Sequence, residues 1–238
     1  MKILDLTLPS PQQNLACDEA LLDLCEDGYD HELLRFWEPR EPFVVLGYSS
    51  RISSDVKLAA CQKARVPILR RCSGGGTVLQ GPGCLNFSLI LRLDGAALLR
   101  TIAGTTRFIL QRHQTALEPV VGQALEVAGL SDLAIGGRKC SGNAQRRKRR
   151  YVLFHGTFLL NFDIPLVERL LAAPLRQPAY RRHRPHTDFL RNLGLSADAV
   201  KRALRRSWRA TSPLERVPER RIEELTERYA SEAWTQRC

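Results

Sequence analysis

Runs of apolar residues, several of them alternating with polar ones, predict strands through the first two thirds of the chain. The runs lie at residues 3–7, 33–37, 42–48, 67–71 and 85–93. In the last run a large apolar residue occupies every second position from Leu85 to Leu91, so Asn86 and Ser88 face the other side of the sheet. This strand is therefore expected to have one apolar and one mixed face.

Apolar residues at helical spacing predict the helices. The segment Ser10-Pro11-Gln12-Gln13 combines a serine N-cap, a proline in the first helical position and a capping-box glutamine, so a helix begins here. A short helix is expected at 54–64 with Ser54 as its cap. Longer helices are predicted over residues 104–128, 196–208 and 218–234.

Two strands on either side of a basic tip predict a hairpin. The first strand is GRKCSGNAQ, the tip is RRKRR at 146–150, and the second strand is YVLFHGTFLLNF. In the second strand, His155 and Thr157 share a face with Leu153 and Leu159. The hairpin therefore places a histidine on an otherwise apolar face.

The order of these elements indicates an α+β fold, with a mixed or antiparallel sheet flanked by helices. We expect a single domain over residues 1–238. It divides into a sheet-rich part at 1–165 and a helical C-terminal part at 166–238.

Composition excludes several classes of protein. Hydrophobic residues make up 44% and charged residues 26% of the 238 residues, as in ordinary globular domains. We find neither a long apolar stretch nor a signal peptide, so no membrane association and a cytoplasmic location are expected. The seven cysteines are odd in number and form no C-x-x-C pair, so we expect free thiols that fill core spaces rather than disulfides or a zinc site.

Positive charge is concentrated in one segment. The net charge is +11, and residues 138–150 hold seven basic residues and no acidic ones. Such a surface attracts phosphates, nucleic acid or an acidic protein. No nucleic-acid docking element is recognisable, so the basic tip is expected to be a solvated loop or a contact for an acidic partner.

Three features could support chemistry. The glycine-rich RRCSGGGTV at 70–78 could cradle an anion or form a tight turn, but it matches neither the P-loop nor the dinucleotide fingerprint. Lys139 lies among small residues that leave room for a ligand. His155 is either a hydrogen-bonded core residue or a catalytic one. No hydrolase G-x-S-x-G elbow or paired-histidine metal motif accompanies it.

Four segments together resemble the ordered motifs of lipoate–protein ligases, in the superfamily of biotin/lipoate ligases and octanoyltransferases. They are NLACDEALL at 14–22, RRCSGGGTVLQGPGCLNFSL at 70–89, SDLAIGGRKCSGNAQ at 131–145 and HGTFLLN at 155–161. The resemblance implies a class II synthetase-like biotin/lipoate ligase catalytic domain. It implies that ATP and Mg²⁺ activate lipoate or octanoate as an acyl-adenylate, with no tightly bound cofactor. The acyl group then passes to a lysine of a lipoyl-carrier protein.

The resemblance also assigns roles to residues of this chain. Lys139 is expected to contact the acyl carbonyl and the phosphate, and Asp132 to lie near the magnesium. The remaining residues assigned to the acyl and adenylate sites are Arg71, Ser73, Gly74, Gly75, Gly76, His155, Trp37, Gly47, Tyr48, Cys84 and Asn86.

The chain departs from the ligase motifs in two places, which affects the expected ATP and magnesium site. Residues 80–84 read QGPGC where the ligases have histidine–aspartate–x–glycine–asparagine, and Ser131 replaces an asparagine. The GPG at 81–83 resembles the octanoyltransferases, which use a cysteine. The two positions where those enzymes place it have none here, which favours the ATP-dependent ligase and leaves Cys84 and Cys140 as misplaced alternatives.

The resemblance implies two kinds of partner. One is a lipoyl-carrier protein, which is expected to be acidic. The other is a separate accessory subunit, because the accessory C-terminal domain of many such ligases is expected to be absent. An ATP-independent transferase and a non-catalytic nucleic-acid-binding protein are the alternatives.

Overall fold

The computed structural model describes residues 1–237, and Cys238 lies outside the described residues. Eleven strands occur in the described chain: β1 Lys2–Asp5, β2 Leu33–Trp37, β3 Phe43–Leu46, β4 Ile68–Arg70, β5 Val78–Gln80, β6 Cys84–Arg92, β7 Glu126–Ala128, β8 Asp132–Ile135, β9 Arg138–Arg147, β10 Tyr151–Leu159 and β11 Ser212–Pro213. The α-helices are α1 Pro11–Glu26, α2 Ile52–Asp55, α3 Leu58–Lys63, α4 Ile102–Val121, α5 Ile164–Leu170, α6 His186–Phe189, α7 Ala197–Ser207, α8 Glu219–Ala230 and α9 Glu232–Thr235.

The strands form two mixed sheets, which confirms the α+β expectation. The larger sheet has eight strands in the order β11-β1-β2-β6-β10-β9-β8-β7. Strand β1 runs parallel to both of its neighbours, and the remaining pairs are antiparallel. The smaller sheet has the order β4-β3-β5. The C-terminal part at 166–238 was predicted to be helical. Strand β11 lies within it, so this prediction was only partly correct.

Apolar side chains cover both faces of the large sheet. One face packs against α4 and α7, and Phe87 and Phe158 meet there with ring centroids 5.2 Å apart. The other face packs against α1 and α8 and contains Leu153. The predicted alternation on β6 and β10 is therefore correct, and His155 lies on the α1 side of the sheet.

The start of α1 agrees with the sequence prediction. Ser10 accepts a hydrogen bond from the Gln13 amide at 3.2 Å, and Gln13 Oε1 accepts one from the Ser10 amide at 3.0 Å. These reciprocal bonds satisfy two donors that have no partner within the helix. They fix the first turn of the helix that presents Asp18 to the sheet.

Three predicted helices have different bounds. The predicted helix 218–234 is interrupted at Ser231, which is extended and caps the start of α9. The predicted helix 54–64 is interrupted at Val56, which is extended and bridges to Leu171 in a buried apolar cluster, so α2 and α3 are separate. The predicted helix 104–128 ends at Val121, because Gly122 adopts a left-handed conformation with φ of +67°. Residues 126–128 then form β7. Tertiary pairing outweighed helical spacing in the latter two cases.

The sequence predicted a solvated loop, or a contact for an acidic partner, at the basic tip of the hairpin. Arg146, Arg149 and Arg150 are exposed, but Arg147 and Lys148 are held by other parts of the chain. Arg147 donates to the Leu99 carbonyl at 2.8 Å and to the Thr105 hydroxyl at 3.0 Å. Lys148 pairs with Asp23 at 2.7 Å, and the Arg150 amide bonds the Glu26 carboxylate at 3.1 Å. At the end of α1, Asp23 thus neutralises Lys148, and Glu26 holds the tip through the backbone of Arg150.

The six cysteines at 17, 25, 61, 72, 84 and 140 are free and buried, as expected for thiols that fill the core. No helix among residues 1–237 is both long enough and apolar enough to cross a membrane.

Candidate active site

A cavity of about 990 Å³ collects most of the residues that the sequence singled out. Its walls come from the glycine loop (residues 73–76), β8, β9, β10 and the covering segment, which we define as residues 171–190. The predicted site residues that line it are Trp37, Arg71, Gly75, Gly76, Asn86, Asp132, Lys139 and His155. A single cavity therefore joins four motifs that are far apart in the chain.

Lys139 forms an ion pair inside this cavity. Its Nζ lies 2.8 Å from Asp132 Oδ1, and the Tyr180 hydroxyl donates to Asp132 Oδ2 at 2.7 Å. Strands β8 and β9 hold the pair, because their antiparallel register sets Asp132 opposite Gly142. A Cβ at Gly142 would lie 2.6 Å from the lysine Nζ, so glycine gives the lysine room to lie along its own strand.

Both carboxylate oxygens of Asp132 are engaged, one by the Lys139 ammonium and the other by the Tyr180 hydroxyl. Burial is the main cause that raises the pKa of Tyr180, and the charge of Asp132 adds to it, so this hydroxyl stays protonated as the donor. The result is a partly buried cation whose charge is balanced by one carboxylate and which still faces the cavity. Such a group can bind a phosphate or carbonyl oxygen.

Arg71 shapes the glycine loop from within. Its guanidinium donates to the carbonyls of Gly74 and Gly76 at 2.6 and 2.9 Å. Burial lowers its pKa to about 10, which still leaves it charged at neutral pH. Gly75 has φ of +87°, a conformation that favours glycine. The arginine assigned to the adenylate site therefore uses its donors mainly to hold the loop.

His155 connects the glycine loop to a buried ion pair beneath it. Its Nε2 lies 2.5 Å from the Ser73 Oγ, and its Nδ1 lies 3.4 Å from Asp18 Oδ2. Asp18 Oδ1 lies 2.6 Å from a guanidinium nitrogen of Arg35, which is fully buried. A series of polar contacts thus connects three elements: α1, the glycine loop and β10.

The charge of Asp18 fixes the direction of this chain. Burial alone would raise the pKa of Asp18, but the Arg35 guanidinium and the bond to His155 together outweigh burial and lower it. The ionised carboxylate can only accept, so the His155 Nδ1 is the donor to Asp18, while the Nε2 faces the Ser73 hydroxyl.

Ser73 is fully buried and is not part of the cavity wall, although it and His155 have the order of a hydrolase dyad. Nothing in the sequence indicated this pairing, because Ser73 lies outside any G-x-S-x-G elbow. The Ser73–His155 contact supports the glycine loop, and His155 rather than Ser73 lines the cavity.

No cysteine lines the cavity in the described part of the chain. Cys84 and Cys140 are at most 1% exposed, and burial raises the pKa of each thiol to about 12. A thiol with such a pKa is almost entirely protonated at neutral pH, so it is a poor nucleophile. Cys84 packs in the apolar cluster beside the smaller sheet.

Four more of the predicted site residues lie outside the cavity wall. Gly47 packs on the glycine loop, where a Cβ would lie 1.9 Å from the Gly75 carbonyl oxygen. The Tyr48 amide donates to the Ser73 carbonyl at 2.8 Å, and its ring lies 6.0 Å from that of Trp234. Gly74 and Ser73 belong to the loop. All four support the loop instead of lining the cavity.

Sequence reasoning missed several residues of the site. Asp18 could have been noticed as an acidic residue that directly follows the apolar residues Leu15, Ala16 and Cys17 of α1. Nothing in the local sequence marked Tyr180, or Arg181, which is buried, lines the cavity and lies over the Phe189 ring. Tyr180 and Arg181 reach the site because the covering segment folds against it.

The residues around Asp132 do not form a protein-only metal site. No group of three or more histidine, cysteine or acidic side chains that could hold a metal occurs in residues 1–237. Mg²⁺ is commonly bound by one or two carboxylates together with substrate phosphates. Asp132 fits that second mode, in which one oxygen would be shared with Lys139.

Several known proteins resemble this chain in sequence. A model of the lipoyl protein ligase A/B catalytic domain matches residues 10–206. A probable lipoate-protein ligase A from Mycoplasma pneumoniae is 32% identical over 173 residues, which cover 72% of this chain and 49% of that protein. An octanoyltransferase LipM from Moorella thermoacetica is 26% identical over 267 residues, covering 99% of this chain and 97% of the relative. The chain spans about half the length of the first relative.

Solved structures share the fold along nearly the whole chain. A lipoate-protein ligase A bound with ATP has a TM-score of 0.82 at 22% identity, with 99% of each chain covered. A bi-partite lipoate protein ligase from Thermoplasma acidophilum, described with its lipoyl domain, has a TM-score of 0.79 at 25% identity, covering 99% of this chain and 95% of that one. The fold is therefore the α+β fold of lipoate-protein ligases.

Proposed function

Because the chain belongs to the lipoyl protein ligase A/B catalytic domain family, we propose that it attaches lipoate or octanoate to a lysine of a lipoyl-carrier protein through an acyl-adenylate formed from ATP. The observation on which the proposal rests is the cation of Lys139, held by Asp132 in a cavity that no cysteine lines in residues 1–237. Adenylate chemistry requires a positioned positive charge and no nucleophilic side chain.

The proposed reaction has two steps. A carboxylate oxygen of the fatty acid attacks the α-phosphorus of ATP, and pyrophosphate leaves. The amine of the acceptor lysine then attacks the acyl carbonyl, and AMP leaves with the carboxylate oxygen. In both steps negative charge develops on oxygens near the transferred group, and a fixed cation in a water-poor cavity stabilises that charge. Lys139 is the residue that we assign to this role.

The apolar part of the cavity suits the acyl chain. Leu15, Trp37, Val45 and Phe87 line it, and the Trp37 ring stacks on that of Phe43 at 6.3 Å. A wall of large apolar side chains binds an eight-carbon chain by removing it from water. Lipoate and octanoate share this requirement, and the lipoate-protein ligase and octanoyltransferase names of the relatives are consistent with both acids.

The glycine loop suits the phosphate side of the adenylate. Arg71 holds the carbonyls of the loop inward, and Gly75 and Gly76 line the cavity. Backbone without side chains allows an anion to approach closely. When Mg²⁺ is bound with the nucleotide it neutralises phosphate charge, and Asp132 is the carboxylate placed to contact it. The lipoate-protein ligase A of the same fold that is bound with ATP supports ATP as a substrate.

An ATP-independent acyl transfer is the second candidate, and the octanoyltransferase LipM relative favours it because the match covers nearly all of both chains. That chemistry passes the acyl group through a cysteine, as the resemblance noted above implies. Cys84 and Cys140, the two alternatives named above, are buried, and burial raises the pKa of each thiol to about 12. The ligase is therefore the better supported of the two.

Intact-mass analysis of an acceptor separates the two candidates. The protein is incubated with a purified lipoyl domain, octanoate or lipoate, ATP and Mg²⁺, and a parallel reaction contains octanoyl-acyl-carrier protein without ATP. We expect acylation of the lipoyl domain only in the first reaction, with release of AMP. Efficient acylation in the second reaction would contradict the ligase proposal.

We also propose two partners. The acceptor is an acidic lipoyl-carrier domain, and a separate accessory subunit supports adenylate formation. The bi-partite Thermoplasma acidophilum ligase described with its lipoyl domain supports both expectations. Addition of such a subunit to the assay would raise the rate of adenylate formation and leave transfer from preformed acyl-adenylate unchanged.

A further inference from the structure

Two leucines are almost fully exposed at the mouth of the cavity. Leu130 is 92% exposed and Leu175 is 82% exposed, the highest values among the large exposed apolar side chains of residues 1–237. Both nevertheless line the cavity. A single exposed leucine is ordinary on a protein surface, whereas two at the mouth of one cavity form an apolar patch of the kind found at binding sites.

The two leucines belong to loops that pack on each other. A Cβ at Gly129, beside Leu130, would lie 3.1 Å from both Pro178 and the Tyr180 ring of the covering segment. Tyr180 in turn bonds Asp132, the partner of Lys139. The patch is therefore connected to the reactive cation through one hydrogen-bonded tyrosine, and its position relative to the cavity is fixed.

Uncompensated positive charge lies beside this patch. Arg51 and Arg176 are exposed and line the same cavity, and neither forms an ion pair within the described chain. At the tip of the hairpin, Asp23 pairs with Lys148, whereas Arg149 is exposed and forms no ion pair within residues 1–237. Arg51 and Arg176 are unpaired cations at the cavity itself, where they can attract an acidic surface.

We propose that Leu130, Leu175 and Arg176 form the docking surface for the acidic protein domain that presents the acceptor lysine, an inference that rests on the function proposed above. A lysine side chain must enter the cavity from solvent, so the domain that bears it has to cover the mouth. A ligand that fills the cavity would leave such exposed leucines largely in water. A protein surface covers them, and apolar contacts with adjacent charge pairs are typical of interfaces.

The test measures the two half-reactions separately. The variants are the double substitution Leu130→Ser with Leu175→Ser, the charge reversal Arg176→Glu, and the control Leu98→Ser. Leu98 is 49% exposed and does not line the cavity. Pyrophosphate release with octanoate, ATP and Mg²⁺ reports adenylate formation without acceptor. Initial rates against concentration of a purified lipoyl domain give the KM for the acceptor.

We expect the KM for the lipoyl domain to rise about tenfold in the double variant, as for loss of a central interface contact. Arg176→Glu should raise the KM by a similar factor and remove much of its salt dependence, since attraction between exposed charges is screened by salt. Pyrophosphate release and melting temperature should match those of the wild type in both variants, and the Leu98→Ser control should change neither half-reaction.

Three results would overturn the account in distinguishable ways. An unchanged KM in the double variant shows that the leucines are not a docking surface. A collapse of pyrophosphate release at constant KM assigns them to the small-molecule site instead. A wild-type protein that acylates the domain without ATP, while the leucine variants still raise the KM, refutes the ligase and supports the docking surface.

Discussion

The amine of Lys139 is the one group in the cavity whose removal should affect both proposed steps. It lies 2.8 Å from Asp132 and is partly exposed to the cavity, so its charge is available to a ligand. We expect Lys139→Ala to lower the rate of adenylate formation roughly 100-fold, the usual effect of losing one positioned electrostatic contact. Pyrophosphate release at saturating substrates measures it.

A matched control separates this effect from loss of a salt bridge. Lys201 on α7 also forms ion pairs, with Asp5 at 3.0 Å and Glu38 at 2.8 Å, and it does not line the cavity. Lys201→Ala should leave the rate unchanged. Wild-type turnover in the Lys139→Ala variant would exclude the role that we assign to this lysine.

For single residues, the sequence predicted which side chains reach the cavity better than it predicted their contacts. Lys139, Asp132, Trp37 and His155 all reach the cavity as expected. The bond between Ser73 and His155 could not be predicted, because the two residues are 82 positions apart and meet only when the loop folds over β10. Nor did the sequence indicate that Arg71 would use its donors on its own loop.

Among the elements, the β9–β10 hairpin gives the clearest contrast between an expected and an observed role. Arg147 and Lys148 contact α1 and the start of α4, whereas Arg149 is exposed and makes no hydrogen bond or ion pair in residues 1–237. We expect Arg147→Ser to lower the free energy of unfolding by about 1–3 kcal/mol, since several buried carbonyl and hydroxyl acceptors lose their donor.

Arg149→Ser is the control for this prediction and should change the free energy of unfolding by less than about 0.5 kcal/mol. Urea unfolding of both variants measures the difference. Equal stability of the two variants would show that the contacts of Arg147 contribute nothing, and that the tip is the solvated loop that the sequence suggested.

The packing of α4 on α7 contains a histidine that should make stability depend on pH. The buried His113 Nε2 accepts a hydrogen bond from the Trp208 indole at 3.0 Å. Burial, reinforced by the charge of Arg112, lowers the pKa of His113 from 6.5 to about 3. Between these values the unfolded chain binds one proton more than the folded chain, so stability falls as pH falls.

A variant without the histidine isolates this effect. In His113→Asn the difference in unfolding free energy from the wild type should shrink by about 1.4 kcal/mol for each unit that pH is lowered below 6. Other titrating groups, including the buried His186, whose pKa is also lowered mainly by burial, cancel in the difference. A difference that stays constant from pH 6 to pH 4 would contradict a neutral His113.

For the molecule as a whole, the sequence predicted the class of fold and most of the strands. The strands at 33–37, 85–93 and 151–162 were found within three residues of their expected ends, because each is a run rich in apolar and aromatic residues. The second sheet and β11 were not expected. Their pairing depends on segments that are short and distant in sequence, such as Lys2 and Ser212.

The distribution of charge also differs from what the sequence suggested. Its most basic segment, 138–150, contains Lys139 in the cavity and a tip that is partly neutralised by α1. Composition gives net charge but cannot show which charges find a partner. The unpaired cations at the cavity mouth, Arg51 and Arg176, can be recognised only from the fold and not from the sequence.

If the lysine-centred cavity activates the acid through an acyl-adenylate, one carboxylate oxygen of the acid must pass to AMP. An oxygen-18 label in the acid follows that transfer. The protein is supplied with octanoate labelled with oxygen-18 in the carboxylate, together with ATP, Mg²⁺ and a lipoyl domain, and the AMP is analysed by mass spectrometry. The account predicts one labelled oxygen in each AMP, in an amount that matches the acylated lipoyl domain. Acylation with unlabelled AMP, or without AMP, would contradict it.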